Sequence, residues 1–408
     1  MTLLCPRTDF PPLNGGVPQV PDLVYLDSAA TSLTPVSVID AIRSYYETSS
    51  ANIHRGKHML SDLASEAYEA CRSEVAGFLR VPRSEIVLTR NTTHGLNILA
   101  NGLPLAPDDR VLVAADNHHS ALLPWQRRCV TQRIGTNAHA QPSYEAYTAA
   151  LAVGPPPRAV VLSHCSNVTG LYLDVAPWAA AARAAGALVI LDAAQTAPHR
   201  ELDPIGLGVD AVVFSAHKML GPTGIGALWA GTKLLDSLVP TEIGGGTVDW
   251  VDDDSFRWRP VPHRLEAGTP DIAAAYGFSA AVQYLRRIGM QRVRKHDQEI
   301  AALMVTEARQ RGLSFLGEHS DAADRSATLS LFWPGMNGTR MDVLARALSD
   351  SYGVMCRNGY LCSQPLVIRH AENPVLRLSG YVYTSADDVA RAFAALDDLT
   401  VAGIIRHG

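Results

Sequence analysis

A chain of 408 residues with 47% apolar and 18% charged side chains is built to bury a large core, which excludes a disordered protein and makes two domains the expectation. Its net charge of −5 provides no basic stripe for nucleic acid, and no apolar run is long enough to cross a bilayer. The six cysteines (Cys5, Cys71, Cys129, Cys165, Cys356 and Cys362) form no CxxC pair and no metal-ligand rhythm, so neither a disulfide framework nor a metal centre is expected.

The first residues, Met1-Thr2-Leu3-Leu4-Cys5-Pro6-Arg7, lack a charged-then-apolar leader pattern, and a cytoplasmic protein is expected. Residues 1–20 read as an N-terminal segment. From about residue 85 to 230, short apolar runs alternate with Ala-rich helical stretches. The runs lie at 85–88, 110–113, 159–162, 187–191 and 211–214, and 178–185 is helix-like. This alternation predicts βαβ units and a mostly parallel sheet covered by helices, an α/β large domain over residues 21–270. Beyond Pro270 the character changes. Residues 272–312 read as long helix broken near Ile288-Gly289-Met290, and strands come next at 328–332 and 375–378. A last helix starts at Ser385, with Asp388 placed to complete a capping box. These elements make a smaller α+β domain over 271–408.

Two of the apolar runs end in residues that a plain strand end does not need. One leads into Ser215-Ala216-His217-Lys218, the other into Asp192 with Gln195 three residues on. Burial lowers the pKa of a lysine and frees its amine. A carboxylate and a lysine, each at a strand's carboxyl end, suit pyridoxal phosphate (PLP): Asp192 keeps the pyridine nitrogen protonated and Lys218 carries the aldehyde. Ligands of an open parallel sheet sit beyond the strands' carboxyl ends, where further segments should converge. Thr89-Arg90-Asn91-Thr92-Thr93 opens a helix from His94 onward and offers a phosphate cradle. Asp116-Asn117-His118-His119 offers an imidazole to stack on a flat ring, and Ser163-His164-Cys165-Ser166-Asn167 offers Asn167 to the ring's oxygen side. No GxGxxG joins a first strand to a helix, which argues against a dinucleotide-binding enzyme.

Other segments carry a wider pattern: Tyr25-Leu26-Asp27-Ser28-Ala29-Ala30-Thr31, Asn52-Ile53-His54-Arg55-Gly56, Pro124-Trp125-Gln126, Ser166-Asn167-Val168-Thr169-Gly170, His217-Lys218-Met219-Leu220-Gly221-Pro222-Thr223-Gly224 and Glu266-Ala267-Gly268-Thr269-Pro270. In this order and spacing the chain resembles, nearly end to end, the class V aminotransferase-fold proteins, specifically the group II cysteine desulfurase and selenocysteine lyase family. The resemblance implies a PLP-dependent transferase of fold type I that works as a homodimer. It implies a reaction converting L-cysteine to L-alanine, with the sulfur held as a persulfide and handed to a sulfur-acceptor protein. Carried over by position, it makes Lys218 the covalent anchor of the cofactor, Asp192 the partner of the pyridine nitrogen and Gln195 the donor to the ring hydroxyl. His118 would stack on the ring. Thr92, Thr93, Ser215 and His217 would line the phosphate, with Thr269 reaching the neighbouring subunit's site. Arg377 would clamp the substrate carboxylate, planar fork to planar fork, with Asn167, Arg55 and Arg357 assisting in the same pocket. Cys362, in Arg357-Asn358-Gly359-Tyr360-Leu361-Cys362-Ser363-Gln364-Pro365, would take the sulfur from a mobile loop, its thiolate favoured by Arg357.

Two positions depart from the family pattern. The histidine pair before the cysteine is Tyr360-Leu361, and the acidic residue after the threonine pair is His94, a possible cation. These leave open a related PLP enzyme acting on another amino acid, such as a C–S lyase, an epimerase or a decarboxylating enzyme. A non-catalytic sulfur-transfer subunit is a further reading, which the joint retention of Lys218, Asp192 and Arg377 argues against. The Tyr360 phenol stands as a candidate proton donor in place of the missing histidines.

Overall fold

A computed structural model describes residues 3–318 and 324–405. The strands in chain order are β1 (Val24–Tyr25), β2 (Ile86–Thr89), β3 (Arg110–Ala114), β4 (Val130–Ile134), β5 (Ala159–Ser163), β6 (Leu188–Asp192), β7 (Ala211–Ser215), β8 (Gly226–Ala230), β9 (Val248–Val251), β10 (Phe256–Trp258), β11 (Ser314–Phe315), β12 (Thr328–Phe332), β13 (Val354–Met355), β14 (Arg357–Gly359) and β15 (Val375–Ser379). Seven of them form the central sheet in the order β2-β8-β7-β6-β5-β3-β4. β8 runs antiparallel to both β7 and β2, and every other pairing in that sheet is parallel. Alternate side chains leave opposite faces of a strand, and the cores sort accordingly. Leu112, Val160, Leu162, Val189, Leu191, Val212 and Phe214 enter one apolar cluster. Their sequence neighbours Val111, Val113, Val161, Ile190 and Val213 enter another. Inside its β4 edge the sheet is therefore buried on both faces, which is why β5, β6 and β7 read as continuous apolar runs.

The helices are α1 (Val36–Thr48), α2 (Met59–Leu79), α3 (Thr92–Gly102), α4 (Leu123–Arg128), α5 (Tyr144–Ala152), α6 (Val175–Ala184), α7 (Pro204–Leu207), α8 (Thr232–Ser237), α9 (Ile272–Ile288), α10 (Met290–Gln310), α11 (Gly338–Tyr352), α12 (Gln364–Ala371) and α13 (Ala386–Val401). The expected break between α9 and α10 falls at Gly289, whose φ of 88° a residue with a Cβ rarely adopts. α3 begins two residues before the expected His94, because the Asn91 side chain already caps it by accepting the His94 N–H at 2.9 Å. The Ser385–Asp388 capping box of α13 is complete. No helix among the described residues is long and apolar enough to cross a membrane.

The smaller sheet, β11-β12-β15-β14, is antiparallel throughout. Packing passes from the large core to the small one along α10, not at residue 270: Met290 and Val293 belong to the former, Ile300, Met304 and Ala308 to the latter. The N-terminal stretch also joins the C-terminal part of the fold. β1 pairs in parallel with β13, Asp27 bridges Ser379, and Arg7 meets Asp388 at 2.6 Å.

Candidate active site

The carboxyl ends of β5, β6 and β7 open into a cavity of about 260 Å³. Its wall brings together Lys218, Asp192, Gln195, Ser215, His217, His118, Thr92, Thr93 and Asn167 from the large domain with Arg357, Cys362 and Arg377 from the smaller one. Arg55 was expected in the same pocket and is not there. It lines a second cavity, about 190 Å³, together with Thr269, because the segment carrying it precedes α2 and packs beside the Glu266–Pro270 loop. Two residues of that wall, His54 and His263, bring ligand atoms within 4.8 Å of one another and of Glu69. Arg72 already holds both Glu69 oxygens, at 2.9 and 3.2 Å.

Lys218 stands half-buried at the cavity wall, and burial lowers its pKa to about 8 against the pull of Asp192. Burial raises the Asp192 carboxyl, while the Ala194 N–H, 2.9 Å away, and Lys218 oppose that rise. His118 and His217 are both pushed down to about 4 by burial, with Lys218 adding to the effect, so both imidazoles are neutral at pH 7. His118 Nδ1 accepts the Ser120 N–H at 3.1 Å, which leaves the ring proton on Nε2. Ser120 also places its hydroxyl 2.7 Å from that of Thr93 and lines the cavity, a contribution the sequence did not single out.

At the other end, the Thr92 N–H donates to Ser215 Oγ at 2.8 Å, and the two hydroxyls lie 2.6 Å apart. Asn91, Thr92 and Thr93 present the N-terminus of α3 to the cavity, where the positive end of the helix dipole favours an anion. A dianion cradle, an enclosed carboxylate, an amine of lowered pKa and a neutral imidazole are the donor set PLP needs, and these residues fit it. Gln195 donates one amide hydrogen to the Ala29 carbonyl at 2.8 Å and keeps a second.

Arg377 lies on β15 with 2% of its surface exposed. Its Nη2 donates to Asp27 Oδ1 and its Nη1 to the Asn167 carbonyl, both at 3.0 Å, while Nε is buried without a partner. Arg357 stands opposite Arg377 on β14. Cys362 is the exposed thiol, whereas burial pushes Cys5 up to about 11 and Cys71, Cys165 and Cys356 to about 12.

The loop expected to be mobile is pinned. The His119 N–H donates to the Cys362 carbonyl at 2.9 Å, Asn167 Nδ2 to the Leu361 carbonyl at 2.8 Å, and Ser363 Oγ to the Asn117 carbonyl at 3.3 Å. Leu361 and Cys362 are both left-handed, with φ of 53° and 56°. Leu361 is held in an apolar cluster with Val168, Leu366 and Val375. Tyr360 packs against the outside of this cluster and is not among the residues lining the cavity, which gives its phenol no support as a proton donor there. His94 is no cation either: burial lowers its pKa, its Nδ1 accepts the Arg90 N–H at 3.1 Å, and Glu242 lies 3.7 Å from Nε2.

Residues 24–392 match the aminotransferase class-V family. The chain belongs to that family. A probable cysteine desulfurase 2 of Mycobacterium leprae is 36% identical over 412 residues, covering 98% of this chain and 95% of that protein. The apo structure of the cysteine desulfurase from Thermococcus onnurineus NA1 superposes with a TM-score of 0.89 at 31% identity, covering 96% of this chain and 98% of the other. Escherichia coli CsdA, a cysteine desulfurase solved in an S-sulfonic acid form, gives 0.86 at 32% identity, with 97% and 98% covered. Within the class-V family this chain is a cysteine desulfurase, and its cofactor is PLP.

Proposed function

We propose that the chain takes the sulfur of L-cysteine onto Cys362 Sγ and releases L-alanine. The observation that carries this reading is the meeting of one exposed thiol, one amine of lowered pKa and one buried guanidinium in a single cavity. Thr92, Thr93, Ser215 and His217 would hold the cofactor phosphate, Asp192 its ring nitrogen, His118 its ring face, Gln195 and Asn167 its oxygen side, and Lys218 its aldehyde. Bound PLP supplies the electron sink that stabilises negative charge on the substrate's α-carbon.

The protein groups do the rest. Arg377 receives the substrate carboxylate at its free Nε edge, with Arg357 adding positive charge at the cavity wall. Lys218 Nζ, with a pKa of about 8, gives and takes protons near neutral pH. The Cys362 thiolate attacks the substrate sulfur: an S–S bond forms as the C–S bond breaks, and the electron pair left on carbon takes up a proton. The products are alanine and a Cys362 persulfide, which a sulfur-acceptor protein then relieves.

The chain works as a homodimer in this reading. Arg55 and Thr269 share a cavity away from Lys218, an arrangement that suits residues serving the neighbouring subunit's site. The first test is peptide mass analysis of PLP-loaded protein after L-cysteine without reductant. One added sulfur atom on Cys362, with alanine formed, is expected. An unmodified Cys362 in protein that turns cysteine over would overturn the sulfur-accepting role and point to a C–S lyase.

A further inference from the structure

Arg377 is already partly occupied by a carboxylate of the protein itself. Asp27 Oδ1 lies 3.0 Å from Nη2, and the Asp27 side chain is 21% exposed against 3% for Arg377. The backbone around Asp27 is fixed: the Leu26 N–H donates to Met355, the Ser28 N–H to Ser379, and the Ser379 N–H back to Leu26 at 2.7 Å. The Asn167 carbonyl takes Nη1 on the other side, and Nε is buried and unpaired. A carboxylate binding the guanidinium side-on bonds Nε and Nη2 together. Nη2 is the nitrogen that Asp27 holds, so an arriving carboxylate shares it with a like charge.

We propose that Asp27 is a positioning residue that keeps Arg377 oriented while weakening its hold on α-carboxylates, so that substrate and product both leave readily. This rests on Arg377 being the substrate clamp. Asp27 keeps a buried guanidinium paired when no ligand is present, which a solvent-free cation needs, and its charge opposes the ligand's. An ordinary structural role predicts the opposite sign, since loss of orientation would weaken ligand binding.

The test is Asp27→Asn, which keeps a hydrogen-bond acceptor of the same shape and removes the charge. KM for L-cysteine and the inhibition constant for L-alanine should each fall about tenfold. Sodium sulfate should raise the melting temperature of cofactor-free Asp27→Asn more than that of the wild type, a readout independent of turnover. Asp27→Glu should return all three towards wild type, and Asp27→Ser replaces Asp27→Asn if that variant does not fold. Constants that rise or stay unchanged overturn the proposal. Arg377→Ala separates the two claims. If it leaves KM for cysteine unchanged, the clamp reading has failed. If it raises KM while Asp27→Asn does not lower it, only the role of Asp27 has failed.

Discussion

A half-buried lysine costs folding free energy, and at Lys218 the cost has a definite pH window. Its folded pKa of about 8 lies below the ordinary 10.5, so between those values the unfolded chain binds more protons than the folded one. The stability of the cofactor-free protein therefore climbs with pH across that window, and the full penalty applies below pH 8. Lys218→Met should abolish desulfuration and raise the melting temperature of cofactor-free protein at pH 7, with the gain shrinking towards pH 10.5. Thermal melts at both ends of the window check this, and an equal gain at both would refute it. Lys218 and Asp192 were legible in the sequence because a charged residue that ends an apolar strand breaks the pattern around it. The contacts of Ser120 and Asp27 were not, since each meets by a hydrogen bond a side chain that no local pattern points to, Ser120 across 27 positions and Asp27 across 350.

Among the elements, the segment from β14 to α12 has the clearest division of labour. Leu361 supplies the apolar anchor, while three hydrogen bonds from 119, 167 and 363 fix the backbone on either side of the thiol. Two consecutive left-handed residues cost about 1 kcal/mol each, and packing has to offset that. Leu361→Ala should thus slow persulfide formation about ten- to a hundredfold, as expected of a misplaced nucleophile, while lowering the melting temperature by only a few degrees. Rapid-quench mass analysis of Cys362 measures the first and a thermal melt the second; an unchanged rate would mean the hydrogen bonds suffice. The sequence flagged this segment as a loop because Gly359 and Pro365 flank it, but flanking residues report where regular structure stops, not whether the backbone between them is held. The large sheet was easier to read, since burial on both faces gives β5, β6 and β7 unbroken apolar runs. The two-residue strands β1 and β13 are too short to carry any periodicity.

At the scale of the whole molecule, the separation of Arg55 and Thr269 from Lys218 bears on how many chains make a site. If those two residues serve the neighbouring subunit, Arg55→Ala and Lys218→Ala should each be inactive alone yet restore about a quarter of wild-type activity when mixed and allowed to exchange, because a closed two-fold hybrid contains one intact site. Activity assays on refolded mixtures decide this, and no recovery would place Arg55 in its own chain's chemistry or outside it. Hydrophobic periodicity reports that a residue is buried but not against which core, so the handover of packing within α10 was invisible beforehand.

The union of β1 with β13, and of Asp27 with Arg377, also sets an order of events during synthesis. The strands of the central sheet span residues 86–230 and can pair as they leave the ribosome. Asp27 emerges near the start yet waits 350 residues for its guanidinium. Contacts of such long range form late, because loop-closure entropy has to be met before they return any energy. With Arg377 as the proposed substrate clamp, a nascent chain halted after β8 should therefore hold the proposed cofactor floor with no means of gripping an amino acid, and selectivity should follow only when β15 closes over the chain's own beginning.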